Sequence, residues 1–170
     1  MKKFWIINLV IFQSAWFIAA LLQQQSVPIL LVLLVMNFVL SPTRTADFRL
    51  LLWVPLGWVL DYTLIQSTLF LSSSGSPGIP VWLMCFWCLF IVSLNHSMDW
   101  LSRLPRIPIS IFGAMFAGIS YLSAIKFGAL QTDHSLILVF TVIFSCWCCL
   151  FPLLLHVKVK VQVATISNDH

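Results

Sequence analysis

Six long apolar runs fill most of the chain, and the hydrophilic connections between them are basic on alternate sides only. This alternation constrains the fold more than any motif does. A membrane-crossing helix needs about 20 apolar residues to bridge about 30 Å of hydrocarbon, and Lys and Arg collect in the connections that stay in the cytoplasm. The runs lie at 4–22, 27–40, 50–71, 80–97, 109–127 and 136–157. Lys2, Lys3, Arg44, Arg49, Arg103, Arg106, Lys158 and Lys160 fall on one side of this scheme, and Lys126 alone on the other. The expectation is an all-α integral membrane helical bundle of six transmembrane helices with both termini in the cytoplasm. Residues 4–157 form its single domain and 158–170 a short cytoplasmic tail; the connections at Ser74 and Thr132 face outward.

Composition agrees. Of 170 residues, 61% are hydrophobic and 8% charged, against about 45–50% and 25% in soluble domains. The net charge of +4 sits in pairs at span ends, so it orients helices and gives no folded basic patch for nucleic acid. The first run follows Lys2-Lys3 as a secretory signal would, but it exceeds the roughly 7–15 apolar residues of a cleaved signal and ends in Gln23-Gln24-Gln25. It reads as a retained first span. The second run reaches only about 21 Å, so it must thin the bilayer, borrow flanking residues or be re-entrant; crossing keeps the charge pattern in phase. Pro55 and Gly57 predict a kink in the third run, and 72–78 a flexible uncharged turn.

Asp61 is the carboxylate well inside a span, roughly 18 Å from the cytoplasmic end. An unpaired charge there is costly, so Asp61 should face the bundle interior, protonated or hydrogen-bonded. Counting helical rise places Gln13, Ser120 and Tyr121 at similar depth, and these four residues form a candidate intramembrane polar site. Two readings stay open: Asp61 carries a proton or binds a substrate, or it is a neutral acid that holds helices together through Tyr121 or Gln13. Near the cytoplasmic end of the fourth run, Asn95 and His96 precede Asp99 by about one helical turn, so His96 and Asp99 form a candidate interfacial pair. They either bind a headgroup or relay a proton, or simply satisfy one another.

Cys85, Cys88, Cys146, Cys148 and Cys149 lie among bulky apolar residues without a His at ligand spacing, which favours small hydrophobes over metal or redox chemistry. No metal, cofactor or catalytic set is expected. Ser110, Ala114 and Gly118, with Gly113 and Ala117 beside them, let helices approach closely and predict that the fifth span is central. The tail from His156 to Val163 alternates as a strand would, but it has no partner strand, so an interfacial helix end or a frayed segment is expected.

Several segments together resemble a family of short bacterial multi-pass inner-membrane proteins, classed as a domain of unknown function, number twenty-eight seventy-eight. They are Asn8 with Phe12-Gln13 and Trp16-Phe17, Asp61, Pro80 with Trp82-Leu83, Leu94-Asn95-His96-Ser97 with Trp100-Leu101, and Gly118 with Ser120-Tyr121 and Gly128-Ala129-Leu130. The chain has Ile119 and Ala124 where the family pattern has a proline and a second glycine. The resemblance implies the bacterial inner membrane and assigns no activity to any residue. The leading functional expectation is a protein that binds or moves a hydrophobic or lipid-like ligand, or assists membrane-lipid metabolism. The alternative is a structural or assembly protein without ligand chemistry. A membrane enzyme is least favoured, since acid, base and nucleophile do not converge at one depth. The expected partners are the lipid bilayer and a lipid-like ligand; oligomeric state is not encoded legibly.

Overall fold

A computed structural model describes residues 4–72 and 78–168; Lys2, Lys3 and most of the predicted 72–78 turn lie outside the described residues. The fold is helical. In chain order it comprises α1 (Phe4–Leu22), α2 (Val27–Leu40), α3 (Arg44–Leu51), α4 (Val54–Gln66), α5 (Val81–Ser93), α6 (Arg106–Lys126) and α7 (Leu136–Asn168). One two-residue antiparallel ladder joins β1 (Leu71–Ser72) to β2 (Leu130–Gln131), with Leu71 opposite Gln131. Phe4–Leu40, Arg44–Gln66, Arg106–Lys126 and Leu136–Thr165 are long and apolar enough to cross a membrane; α5 is a shorter apolar helix. Their length, composition and apolar exterior, with Leu52, Ile107 and Ile137 all more than 70% exposed, are those of a membrane protein.

The expected six separate spans therefore reduce, by length and composition, to four stretches and one short helix. The first stretch is a hairpin. As one straight helix it would set Asn8 and Asn37 about 44 Å apart, yet Asn8 Nδ2 donates to Asn37 Oδ1 at 2.8 Å. Reversal occurs at the 3₁₀ turn Gln23–Ser26, where Gln23 adopts φ 48° and Ser26 Oγ caps the Gln23 carbonyl. Pro28, in the first turn of α2, forgoes an N–H that has no helical acceptor there.

The predicted third run, 50–71, is shifted and broken. Helix starts already at Arg44, within the expected loop, and ends at Gln66. The kink near Pro55 is a break between α3 and α4, because proline cannot donate to the preceding turn and crowds it; Leu52 and Trp53 instead donate to carbonyls three residues back. The fourth run is also shortened. α5 stops at Ser93, whose hydroxyl binds the Phe90 carbonyl at 2.6 Å, and 94–98 continue as tight turns into the 3₁₀ helix Asp99–Arg103. The sixth run is lengthened: the alternating tail is helical through Asn168, in line with helix rather than strand.

α5, not α6, is the central helix. Trp82, Leu83, Trp87 and the continuous stretch Leu89–Ser93 are buried, and the helix meets α1, α2, α3 and α4. α6 instead pairs closely with α7 through its small-residue face, while Ile107, Phe112, Phe116 and Ile119 remain exposed. Gly113 lies against Phe151 and Gly118 against Phe140.

Hydrogen bonds gather the chain at two ends. Asn8, Asn37, Ser41, Asp47, Asn95, His96, Ser97 and Gln162 link α1, α2, α3, α5 and α7 at one end, where Arg49 also donates to Thr165. At the other end, Gln23 reaches the Gly128 carbonyl and Thr132 the Leu69 carbonyl. With α3 and α4 counted as one broken segment, successive segments thus run antiparallel between the ends.

A Cβ on Gly57 would meet the ring of buried Trp87, whereas one on Gly118 would meet the ring of Phe140, which is only half-buried. Gly57→Ala should therefore cost about 1–3 kcal/mol by overpacking, and Gly118→Ala less. Unfolding of both variants in mixed detergent micelles checks the order; equal losses would contradict it.

Candidate functional site

Asp61 lies on α4 one helical turn beyond Gly57, so both occupy the same face. Because Gly57 has no side chain, the Trp87 ring of α5 can lie flat against α4. From there its Nε1–H donates to Asp61 Oδ2 at 2.5 Å. The hydroxyl of Tyr121, on α6, makes a short hydrogen bond to Asp61 Oδ1. Asp61 is fully buried and forms no ion pair with a cation among the described residues. Two donors, one per oxygen, satisfy it and tie α4 to α5 and α6. Trp87 then stacks on Trp147 of α7, with centroids 5.5 Å apart and planes at 15°, and Tyr121 meets Trp147 edge-on.

Tyr121, Trp87 and Trp147 form part of the wall of a cavity of about 570 Å³ between α1, α5 and α6. Its lining is dominated by aromatic and aliphatic side chains, within the size range of small-molecule sites. Asp61 stands behind this wall rather than in it. Gln13 and Ser120 also line the cavity, but neither joins Asp61: Gln13 is exposed, and Ser120 accepts the Trp16 Nε1–H at 2.7 Å, joining α6 to α1. Of the four residues grouped by depth, the structure brings Asp61 and Tyr121 together and leaves Gln13 and Ser120 on the cavity surface. Depth was readable from rise; rotation about each helix was not.

A second polar cluster lies at the other candidate. His96 does not pair with Asp99, because the intervening residues leave the α-helix and carry the side chains apart. Its Nε2 lies 2.9 Å from both carboxylate oxygens of Asp47 on α3. Asn95 Nδ2 donates to Asp47 Oδ1 at 2.6 Å, and Asn95 Oδ1 accepts from Gln162 of α7 at 2.6 Å. Ser41 Oγ donates to Asp47 as well. Ser, His and Asp are thus together, yet a nucleophilic triad needs the imidazole between serine and acid, using one nitrogen for each. Here Ser41 lies 3.4 Å from the same Nε2 that meets Asp47, so the group acts as a knot joining three helices. Sequence reasoning missed Asp47 and Trp87. Asp47 sits in a charged connection where a solvated carboxylate is the ordinary reading, and a tryptophan inside an apolar run, as Trp87 is, ordinarily packs.

Asp99 pairs instead with Arg103 at 3.2 Å and with Lys158, whose side chain is 1% exposed. Burial alone would raise the Asp99 carboxyl, but hydrogen bonds and charge from Lys158 and Arg103 outweigh it and hold it below the usual carboxylate range. The five cysteines are free thiols, and among the described residues no three His, Cys, Asp or Glu side chains group as metal ligands.

Two outcomes are expected. Asp61→Ala strands the Trp87 and Tyr121 donors and should cost about 2–6 kcal/mol, taking about 1–3 kcal/mol for each buried group left unpaired; Asp61→Asn, which keeps an acceptor, should cost less than half of that. Denaturant titration of both variants checks this, and equal losses would show that the hydrogen bonds are not the stabilising feature. For Asp99, the lowered folded value means that its stabilisation is complete above its unfolded value of about 4 and is lost as pH falls through the folded value. Asp99→Asn should therefore flatten the acid side of the stability profile, and an unchanged profile would contradict the pairing.

No curated protein and no solved structure matches the chain. Residues 5–153 match the family described as protein of unknown function (DUF2878), a match that takes in the Asp61 site, the cavity and most of the Asp47 cluster. The chain belongs to that family.

Proposed function

We propose that the protein is a six-pass bacterial inner-membrane protein with both termini cytoplasmic, and that it binds or moves a hydrophobic, lipid-like ligand through the cavity between α1, α5 and α6. The cavity carries this reading: about 570 Å³ of apolar, aromatic-lined space, open along the exposed Phe17, Phe112, Phe116 and Ile119, is the size of a small-molecule site. The orientation is supported by charge. Arg44, Arg49, Arg103, Arg106 and Lys158 belong to the end that contains the Asp47 cluster, and Lys126 to the opposite one. On this scheme α2 and α5, at about 21 and 20 Å, cross a locally thinned layer or are completed by flanking residues.

Asp61 serves here as a positioning group that fixes two cavity-wall residues. The rival reading, a structural or assembly protein, draws support from the same saturation: both Asp61 oxygens and both Asp47 oxygens are committed to neighbouring helices. An enzyme has the least support.

Two measurements separate these readings. On a cysteine-free background, Thr45→Cys should react with an impermeant maleimide only after the membrane is opened, and Asp133→Cys in intact cells; the reverse pattern would overturn the orientation. Protein purified from native membranes should carry a lipid species enriched over the bulk extract. Ser123→Phe, which fills one part of the cavity at a half-buried position, should remove it while folding normally; retention of the same lipid would favour the structural reading.

A further inference from the structure

The residues that line the cavity differ in exposure according to the helix they come from. Those of α5 and α7 are buried, or half-buried in the case of Phe86. Gln13 and Phe17 of α1, Phe112, Phe116 and Ile119 of α6, and Trp100 in the connection before α6 line the same space and are exposed. The cavity is therefore open on the side of α1 and α6. The ties across that side all lie toward the end that carries Lys126: Trp16 donates to Ser120 at 2.7 Å, its ring meets that of Phe127 at 5.9 Å, and Gln23 reaches the Gly128 carbonyl. Between Phe4 and Ala15, no hydrogen bond or ring contact joins α1 to α6 among the described residues. The seam is thus tied at one end and open from Gln13 to the Trp100 end. It faces the apolar exterior of the bundle, so what passes through it comes from hydrocarbon rather than from water.

Charge decides what can occupy such a space. The described lining residues include no Lys, Arg, His, Asp or Glu, so a headgroup drawn inside would lose its hydration without gaining a counter-charge; a hydrocarbon chain has no hydration to lose. Cations stand at the open end instead. In the 3₁₀ helix Asp99–Arg103, Trp100 and Arg103 are three residues apart and share a face, and the Arg103 side chain is 79% exposed. Exposed Arg106 begins α6, about 9 Å of helical rise before Phe112. We propose that the seam between α1 and α6 is a lateral portal through which one acyl chain of a membrane phospholipid enters the cavity, while its phosphate stays in the headgroup layer beside Trp100, Arg103 and Arg106. This rests on the ligand-binding reading above and adds the occupant and its route. Trp16 and Ser120 close the far end of the portal, and Gln13, at the midpoint of α1, stands in its opening.

The test uses the full-length protein in nanodiscs of phosphatidylethanolamine and phosphatidylglycerol, with a trace of phosphatidylglycerol that carries a photoactivatable diazirine midway along one chain. Labelling of residues 82–90 in α5, none of which is exposed, is divided by that of α2, which lines no part of the cavity and reports general lipid contact. The stretch 82–90 should be labelled in the unaltered protein. Gln13→Trp, which sets a bulky ring in the opening, should abolish that labelling. Val10→Trp, also at an exposed position of α1 but outside the cavity wall, should leave it unchanged. If Gln13→Trp does not fold, Ile119→Trp on the opposite rim carries the same comparison. Labelling that survives both rim substitutions, or an equal loss in Val10→Trp, would overturn the portal and leave chain binding standing. No labelling of 82–90 in the unaltered protein would reject the acyl chain as occupant; the lipid that copurifies from native membranes then decides separately whether the cavity binds a ligand.

Discussion

A carboxyl group inside an apolar bundle must be hydrogen-bonded, because nothing in hydrocarbon replaces the water it gives up. Asp61 meets this requirement with one donor per oxygen, and each comes from a different helix. The arrangement depends on Gly57, since any side chain there would hold the Trp87 ring off α4 and carry its N–H away from the acid. Trp87 in turn stacks on Trp147. A single buried acid thus fixes the relative positions of α4, α5, α6 and α7, and does so through residues whose other faces line the cavity.

The Asp47 cluster performs a similar task nearer the basic end. It uses a carboxylate from α3, an amide and an imidazole from the end of α5, and an amide from α7. The buried Lys158 adds a tie from α7 to Asp99. α5, too short to span unaided, is held at its middle by Asp61 and at its end by Asp47, and its burial follows from this. The cavity lies along one side of that anchored helix, between it and α1 and α6.

The apolar runs and their charge alternation revealed a helical membrane protein because segment hydrophobicity is a local property. Lengths were less legible. α5 ended early, at Ser93, and Pro55 divided a helix that began earlier than apolarity suggested, at Arg44. Depth along a helix could be counted, which is why Asp61 and Tyr121 could be grouped. Azimuth could not, because spans that are apolar on all sides show no face, and Gln13 and Ser120 consequently lie on the cavity surface. His96 illustrates a different limit: its local candidate, Asp99, lost to Asp47, which is 49 positions away in sequence and was brought near only by packing.

Nuclear magnetic resonance of the protein labelled with ¹⁵N at its eight tryptophans addresses the Asp61 centre most directly, because each indole N–H reports its own hydrogen bond. With the signal assigned by Trp87→Phe, the Trp87 proton should lie far downfield and move upfield in Asp61→Ala. A Trp87 signal indifferent to Asp61 would contradict the account.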